Sequence, residues 1–215
     1  MQIETGYGPA EAELDGPARA RFLLVLTHGA GGGVDSADLL AARDAGLAAG
    51  GAVARVLQPY RVRGASAPGS PQRQDAAWLE IIAALRDRRR RGPLIQGGRS
   101  NGARVACRTA GAAGAAAVLA LAFPLHPPGR PEKSRADELR AAGVDVLVIN
   151  GDRDPFGIPD AADATRVVVL PGQTHALSGA ARPIEREVSV WLGAVLAGRG
   201  AVSSRGAVSR SARRA

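Results

Sequence analysis

The chain has 215 residues, 46% of them hydrophobic and 22% charged, which suits one domain with a sizeable core and excludes a disordered protein. Its single cysteine excludes an intrachain disulfide framework and a zinc site built from several cysteines. The net charge of +8 would suit a nucleic-acid-binding protein. However, the densest arginine clusters, 86–91 and 198–215, contain no aromatic residues that could stack on bases. We therefore do not expect nucleic acid as a partner.

The first residues of the chain lack the basic and apolar segments of a secretory signal. The longest apolar runs, such as residues 115–124, are far shorter than the roughly 20 residues that a membrane helix needs. We therefore expect a cytoplasmic protein that has no membrane as a partner.

Short apolar runs alternate with stretches of helical periodicity in the first half of the chain. Residues 21–29 and 52–59 are apolar and are stopped by glycine or proline, which predicts two strands. Helical spacing predicts helices over 35–51 and 72–91. One side of the second helix is apolar and consists of Trp78, Ile81, Ile82 and Leu85.

The same alternation continues through the second half. Apolar runs predict four further strands, at 93–98, 115–124, 144–151 and 165–172. Periodic stretches predict helices at 101–114, 130–143 and 181–198. The last helix has an apolar face that consists of Ile184, Val188, Trp191, Leu192 and Val195.

After this helix the composition changes. Residues 198–215 contain five arginines and no acidic residue. The other basic cluster, 86–91, lies at the end of a predicted helix, where cations complement the helix dipole and face water. Either cluster could bind a polyanion, but we expect a solvated face at 86–91 and a disordered Arg/Ser/Gly-rich tail at 198–215. This leaves one folded domain over 1–197.

Strands that alternate with helices predict an α/β protein with a mostly parallel sheet of six to seven strands and helices on both faces. The strands are continuous apolar runs, as expected when both faces of a sheet are buried. In such sheets ligands bind at the carboxyl ends of the strands. We therefore expect the functional residues in the loops that directly follow the strands.

Three of those loops contain the residue types of a serine-based catalytic site. The segment GRSNG matches the pattern G-x-S-x-G and presents Ser100. The segment GDRDPFG contains Asp152 and Asp154, and PGQTH ends in His175. The order nucleophile, acid, histidine is that of the α/β-hydrolases.

The chemistry of acyl transfer explains why these residue types belong together. A serine hydroxyl needs a base within hydrogen-bond reach, and the pKa of histidine suits that role. An acid then fixes the imidazole tautomer and stabilises the imidazolium. The backbone N–H of Asn101 is the first predicted oxyanion donor, and the glycine-rich loop after the first predicted strand supplies the second, at Ala30 or Gly31. We expect His28 to brace that loop.

Six stretches of the chain carry a resemblance to a known family: HGAGGG, QPYRVRG, GGRSNGAR, FPLHPPGRPEK, INGDRDPFG and LPGQTH. Together they resemble compact, dienelactone-hydrolase-like members of the α/β-hydrolase superfamily. The resemblance is strongest to the branch that includes a testis-expressed protein and the hydrolase-like domain of a histone-acetyltransferase complex subunit. It implies a compact α/β-hydrolase fold over residues 5–195. It also places the catalytic acid at Asp154, three residues after the glycine that ends the strand.

Many α/β-hydrolases insert a helical cap after the strand that follows the nucleophile's helix. Here residues 125–139 are all that intervene before the next predicted strand, and they are too few for a cap domain. We therefore expect an open site. Its substrate pocket should be shaped by Gly31, Tyr60, His126 and Phe156.

We therefore predict a serine hydrolase that cleaves a small ester, thioester or related acyl substrate through Ser100, His175, Asp154 and an acyl-enzyme. The alternative is a non-catalytic protein-interaction module on a hydrolase fold. The glycine run after the first predicted strand has neither the ending of a P-loop nor dinucleotide-binding spacing, and no metal motif occurs. We expect no cofactor and no metal.

Arg99 and Arg104 flank the predicted nucleophile and could favour an anionic substrate. Arg104 could instead pair with a neighbouring acid. Cys107 follows in the same predicted helix, where we expect a small packed side chain without a chemical role.

Overall fold

The structure is a computed structural model that describes residues 1–89 and 92–211, with side chains as far as residue 198. In the part that it describes, one sheet has eight strands in the order β1-β2-β4-β3-β5-β6-β7-β8. The strands are β1 (Gln2–Ile3), β2 (Ala10–Asp15), β3 (Leu23–Thr27), β4 (Ala52–Leu57), β5 (Leu94–Arg99), β6 (Ala117–Leu121), β7 (Asp145–Gly151) and β8 (Arg166–Leu170).

The prediction of six to seven strands was wrong, because it missed the two strands at the start of the chain. β1 and β2 pair antiparallel, and β2 pairs antiparallel with β4, whereas the other neighbours are parallel. β2 reads AEAELD, and alanine, glutamate and aspartate are depleted in strands. The pairing with β4, a contact distant in sequence, fixes this segment in the sheet.

The helices are α1 (Ala37–Ala48), α2 (Pro59–Val62), α3 (Pro71–Arg88), α4 (Asn101–Ala113), α5 (Ala136–Arg140) and α6 (Ala181–Ser211), with a 3-10 turn at Ala161–Asp163. α5 is much shorter than the helix predicted over 130–143. α6 continues past residue 198, where the sequence analysis ended it. The side chains of the predicted tail from residue 199 on, and all of residues 90, 91 and 212–215, lie outside the described residues, so the disordered tail stays a prediction.

The core forms two layers because successive residues of a strand point to opposite faces of the sheet. Leu23 and Val25 of β3 pack with Trp78 of α3, while Leu24 of β3 packs with Ile184 of α6. The predicted apolar faces of α3 and α6 are buried along their length. Helices therefore cover both faces of the sheet, as predicted, and the carboxyl ends of β3, β5, β7 and β8 meet at one edge of it.

No cap domain covers that edge in the described residues. Between β6 and β7, where a cap was considered, the chain contains only the five-residue helix α5. No helix among the described residues is both long and apolar enough to cross a bilayer.

Candidate active site

Ser100 lies in a sharp turn between β5 and α4. Its backbone has φ 51° and ψ −115°, in the left-handed half of the map that residues with a side chain rarely adopt. Two glycines let neighbouring chain segments approach. A Cβ on Gly98 would lie 2.4 Å from the Thr27 carbonyl oxygen, and one on Gly102 would lie 2.6 Å from the same atom. The strained turn therefore depends on two residues without side chains.

Three side chains from distant parts of the chain form a continuous row of hydrogen bonds. The Ser100 hydroxyl lies 2.9 Å from Nε2 of His175, and Nδ1 of His175 lies 2.8 Å from Oδ2 of Asp154. The His175 side chain is 19% exposed and the Asp154 carboxylate is fully buried. With Nδ1–H donating to Asp154, Nε2 is free to accept the serine proton.

Of the two candidate acids, Asp154 contacts His175, whereas Asp152 is exposed. The Asp154 carboxylate is held on its other side, because the Phe156 N–H donates to Oδ1 over 2.9 Å. Asn150, fully buried at the end of β7, accepts from the Phe123 N–H and donates to the Phe123 and Gly157 carbonyls. These bonds tie the end of β6 to the loop that carries the acid.

Arg99 fixes the backbone of the histidine loop. Its Nη2–H donates to the His175 carbonyl over 2.8 Å, and its Nε–H donates to Oδ2 of Asp38 over 2.8 Å. The Asp38 side chain is fully buried, and its Oδ1 accepts the Leu39 N–H. Sequence reasoning missed Asp38, since an acidic residue in the first turn of a helix is an ordinary feature.

Three backbone carbonyl groups in the loop after β3 accept hydrogen bonds from side chains. Nδ1–H of His28 donates to the Gly29 carbonyl over 2.7 Å, and the Tyr60 hydroxyl donates to the Ala30 carbonyl over 2.9 Å. The Arg61 Nε–H donates to the Gly32 carbonyl over 3.0 Å. Gly29 lies close to the serine, since a Cβ placed on it would be 3.3 Å from Ser100 Cβ.

His28 and Tyr60, which hold this loop, are both buried. Burial lowers the pKa of His28, the Gly29 hydrogen bond partly opposes this, and the Arg61 cation adds to it. Burial raises the pKa of Tyr60 to about 12, with Arg61 opposing, so its hydroxyl remains a proton donor at neutral pH. Both side chains are therefore neutral hydrogen-bonding groups.

Asn101 is the first residue of α4, and its backbone N–H has no acceptor among the described residues. Its side chain is fixed, because Nδ2 donates to Oε1 of Gln74 over 2.7 Å. The N–H groups of Ala30 and Gly31 are likewise without an acceptor in the described part of the chain. The predicted oxyanion donors are thus unpaired N–H groups at the first residue of α4 and in the loop after β3.

Contacts join the four predicted pocket residues in two pairs, Tyr60 with the loop at Gly31 and His126 with Phe156. Phe156 stacks against the His175 imidazole with ring centroids 4.2 Å apart, and its carbonyl accepts the His126 N–H. Gly31 is exposed in the glycine-rich loop. Tyr60 lies beneath that loop and borders a cavity of about 320 Å³. A shared pocket lined by all four residues stays a prediction.

The remaining residues near Ser100 have structural partners. Both Nε and Nη2 of Arg104 donate to the carboxylate of Glu138, which is the pairing alternative of the sequence analysis. Cys107 is buried, and burial raises the pKa of its thiol to about 12, with Glu138 adding to this and Arg108 opposing it. The thiol is therefore protonated and packed.

The arrangement suits proton transfer to and from a serine hydroxyl. A hydroxyl, an imidazole and a buried carboxylate lie in series. Unpaired backbone N–H groups occur at Asn101, next to Ser100 in the chain, and in the loop at Ala30 and Gly31, which approaches Ser100 at Gly29. The first three can generate an alkoxide-like nucleophile, and N–H groups can stabilise an oxyanion that develops beside it.

Comparison with known proteins places the chain in a family. A family model described as an alpha/beta hydrolase domain matches residues 20–180. The chain belongs to the alpha/beta hydrolase domain family. No curated protein matches it. The predicted fold class is confirmed, apart from the strand number and the two antiparallel strands that raise it.

Solved structures share the fold of this alpha/beta hydrolase domain. Est1E from Butyrivibrio proteoclasticus, with ferulic acid bound, has 17% identity and a TM-score of 0.76, covering 92% of this chain and 99% of that one. Dienelactone hydrolase from Anabaena variabilis has 17% identity and a TM-score of 0.70, covering 89% and 94%. A serine hydrolase without a lid from Xanthomonas campestris has 22% identity and a TM-score of 0.64, covering 87% and 93%.

Proposed function

We propose that this alpha/beta hydrolase domain is a serine hydrolase that cleaves a small ester, thioester or related acyl substrate. The observation that carries the proposal is the hydrogen-bonded series from the Ser100 hydroxyl through His175 to the buried Asp154 carboxylate. The series begins at a residue held in a strained backbone conformation, and such strain is concentrated at functional sites.

In the proposed reaction the Ser100 oxygen attacks the acyl carbon while its proton passes to Nε2 of His175. Asp154 holds Nδ1–H and stabilises the imidazolium. Backbone N–H groups of Asn101 and of the loop at Ala30 bind the developing oxyanion, each contributing roughly 3–4 kcal/mol. His175 then protonates the leaving group, and a water molecule, activated by the same imidazole, releases the acid and restores the serine hydroxyl.

The open carboxyl edge of the sheet supports hydrolysis rather than acyl transfer. With no cap domain in the described residues, water can reach an acyl-enzyme at Ser100. The names of the similar structures support the same class, since they include a dienelactone hydrolase and a serine hydrolase without a lid. We also propose that the chain is related to the α/β-hydrolase branch that includes the testis-expressed protein. The alternative function, a non-catalytic protein-interaction module on a hydrolase fold, rests on that relationship.

Labelling with a fluorophosphonate tests the proposal, because only an activated serine displaces the fluoride. We expect one adduct per chain by intact mass on the wild type and on Ser134→Ala, which changes an exposed serine. Ser100→Ala should form none and should lose hydrolysis of short 4-nitrophenyl esters by at least about 10³-fold. Well-folded wild-type protein that forms no adduct and cleaves no ester would contradict the proposal. Pull-down of protein partners would then be the next experiment.

A further inference from the structure

The four residues 29–32 form a turn whose central peptide can adopt two orientations. The Gly32 N–H donates to the Gly29 carbonyl over 3.1 Å, so the Ala30–Gly31 peptide lies at the centre of the turn. In the two common turn types this peptide points in opposite directions, and one of them requires a positive φ at the third residue. Glycine occupies that third position and permits both.

Packing around Gly31 favours neither of the two orientations of the Ala30–Gly31 peptide. A Cβ on Gly31 would have no neighbour within 4 Å. In the structure Gly31 is not among the residues with positive φ, so one orientation is adopted. The bond from the Tyr60 hydroxyl to the Ala30 carbonyl acts on this peptide directly, over 2.9 Å.

The strand order shows where this bond directs the peptide. Tyr60 follows β4 and Ser100 follows β5, and β3 lies between those strands, so the two residues flank the loop from opposite sides. The Gly29 carbonyl is bound from the Tyr60 side too, because His28, which binds it, accepts the Gln58 N–H. In a trans peptide the N–H points away from the carbonyl. The N–H groups of Ala30 and Gly31 are therefore turned towards the Ser100 side.

We infer that Tyr60 is a positioning residue of the oxyanion site. Its hydroxyl holds the Ala30–Gly31 peptide so that the N–H of that peptide, which belongs to Gly31, points towards Ser100. The inference rests on the proposed serine-hydrolase function. In the opposite orientation the loop would present the Ala30 carbonyl oxygen, an acceptor, to the developing oxyanion and would repel it. The Tyr60 ring is buried and contributes to packing, but the hydroxyl alone fixes the direction of the peptide.

Tyr60→Phe removes this hydroxyl and keeps the ring. We expect kcat for a 4-nitrophenyl ester to fall about 10- to 100-fold with KM within about twofold, because the oxyanion forms only in the transition state. Tyr7→Phe is the matched control: Tyr7 borders the same cavity, and its hydroxyl bonds no described residue. If Tyr60 had only a structural role, Tyr60→Phe would change the thermal stability but would not lower kcat at a nearly constant KM.

A second substitution tests the direction of the peptide. Gly31→Ala disfavours the positive φ that the opposite orientation needs, so the loss caused by Tyr60→Phe should be several-fold smaller in the Gly31→Ala background. A Tyr60→Phe loss of equal size in both backgrounds would overturn the inference.

Crystal structures of the two tyrosine variants give a readout that does not depend on activity. We expect the Ala30–Gly31 peptide to be rotated, or to occupy two orientations, in Tyr60→Phe and to keep a single orientation in Tyr7→Phe. An unmoved peptide in Tyr60→Phe, or a rotated peptide with unchanged kcat, would overturn the inference. A rotated peptide in a protein whose wild type forms no serine adduct would instead remove the proposed function.

Discussion

His28 shows how a single buried side chain can require one protonation state. Its Nδ1–H donates to the Gly29 carbonyl, while its Nε2 accepts the Gln58 N–H over 3.0 Å. A proton on Nε2 would face another N–H group and would break that bond. The lowered pKa of His28, caused first by its burial, is consistent with this geometry. The loop beside Ser100 is therefore held by a neutral imidazole.

This geometry predicts that folding stability falls in mildly acidic solution. Because the pKa of His28 is lower in the folded chain than in the unfolded one, its contribution is complete above the unfolded value of about 6.5. It is lost as the pH falls from there through the lowered folded value. Urea unfolding of wild type and His28→Gln at pH 7.5 and pH 5.0 checks this. We expect the wild type to have the higher free energy of unfolding, and the difference between the two proteins to be smaller at pH 5.0. His126 and His175 are present in both proteins and serve as the internal control. An advantage that stays constant or grows would contradict the prediction.

At the scale of elements, the turn from β5 into α4 depends on close contact with the end of β3. Gly98 and Gly102 both lie against the Thr27 carbonyl. Gly111, further along α4, has open space where a Cβ would be. Packing thus requires the absence of a side chain at Gly98 in β5 and at Gly102 in α4, but not at Gly111 in α4.

The two kinds of glycine predict opposite effects of alanine. Gly98→Ala should destabilise the fold by about 1–3 kcal/mol, because the new methyl group would overlap the Thr27 carbonyl, and it should lower the rate of Ser100 labelling. Gly111→Ala should stabilise by about 0.5–1 kcal/mol, since alanine is the better helix former, and should leave labelling unchanged. Chemical denaturation and labelling rates measure both. Equal effects of the two substitutions would show that the close approach at Gly98 is not needed.

At the scale of the whole molecule, the sequence was most informative where local pattern determines structure. Apolar runs ended by glycine or proline located six strands, and the loops after them supplied Ser100, Asp154 and His175, which the structure brings within hydrogen-bonding distance. β2 was missed because its alanines and acids have no local preference for a strand.

The hydrogen bonds of Arg99 and Tyr60 near the site were missed for a different reason. Arg99 bonds to residues 61 and 76 positions away in the chain, and Tyr60 bonds to one 30 positions away. No periodicity or short motif encodes such pairings, because they arise only when the sheet brings its carboxyl ends together. The chemistry-bearing residues could thus be named from the sequence, whereas the residues that position them required the fold.

Arg99 joins three such distant parts, and its removal should separate stability from activity. Arg99→Met would leave the buried Asp38 carboxylate without its cation, which should cost about 3–5 kcal/mol. Adding Asp38→Asn removes that uncompensated charge, so the double variant should recover much of the stability. It should still hydrolyse esters several-fold more slowly than wild type, because the His175 carbonyl has lost its donor. Urea unfolding and kcat measured on the same three proteins decide the point. A double variant with wild-type kcat would show that the bond from Arg99 to the histidine loop has no role in positioning His175.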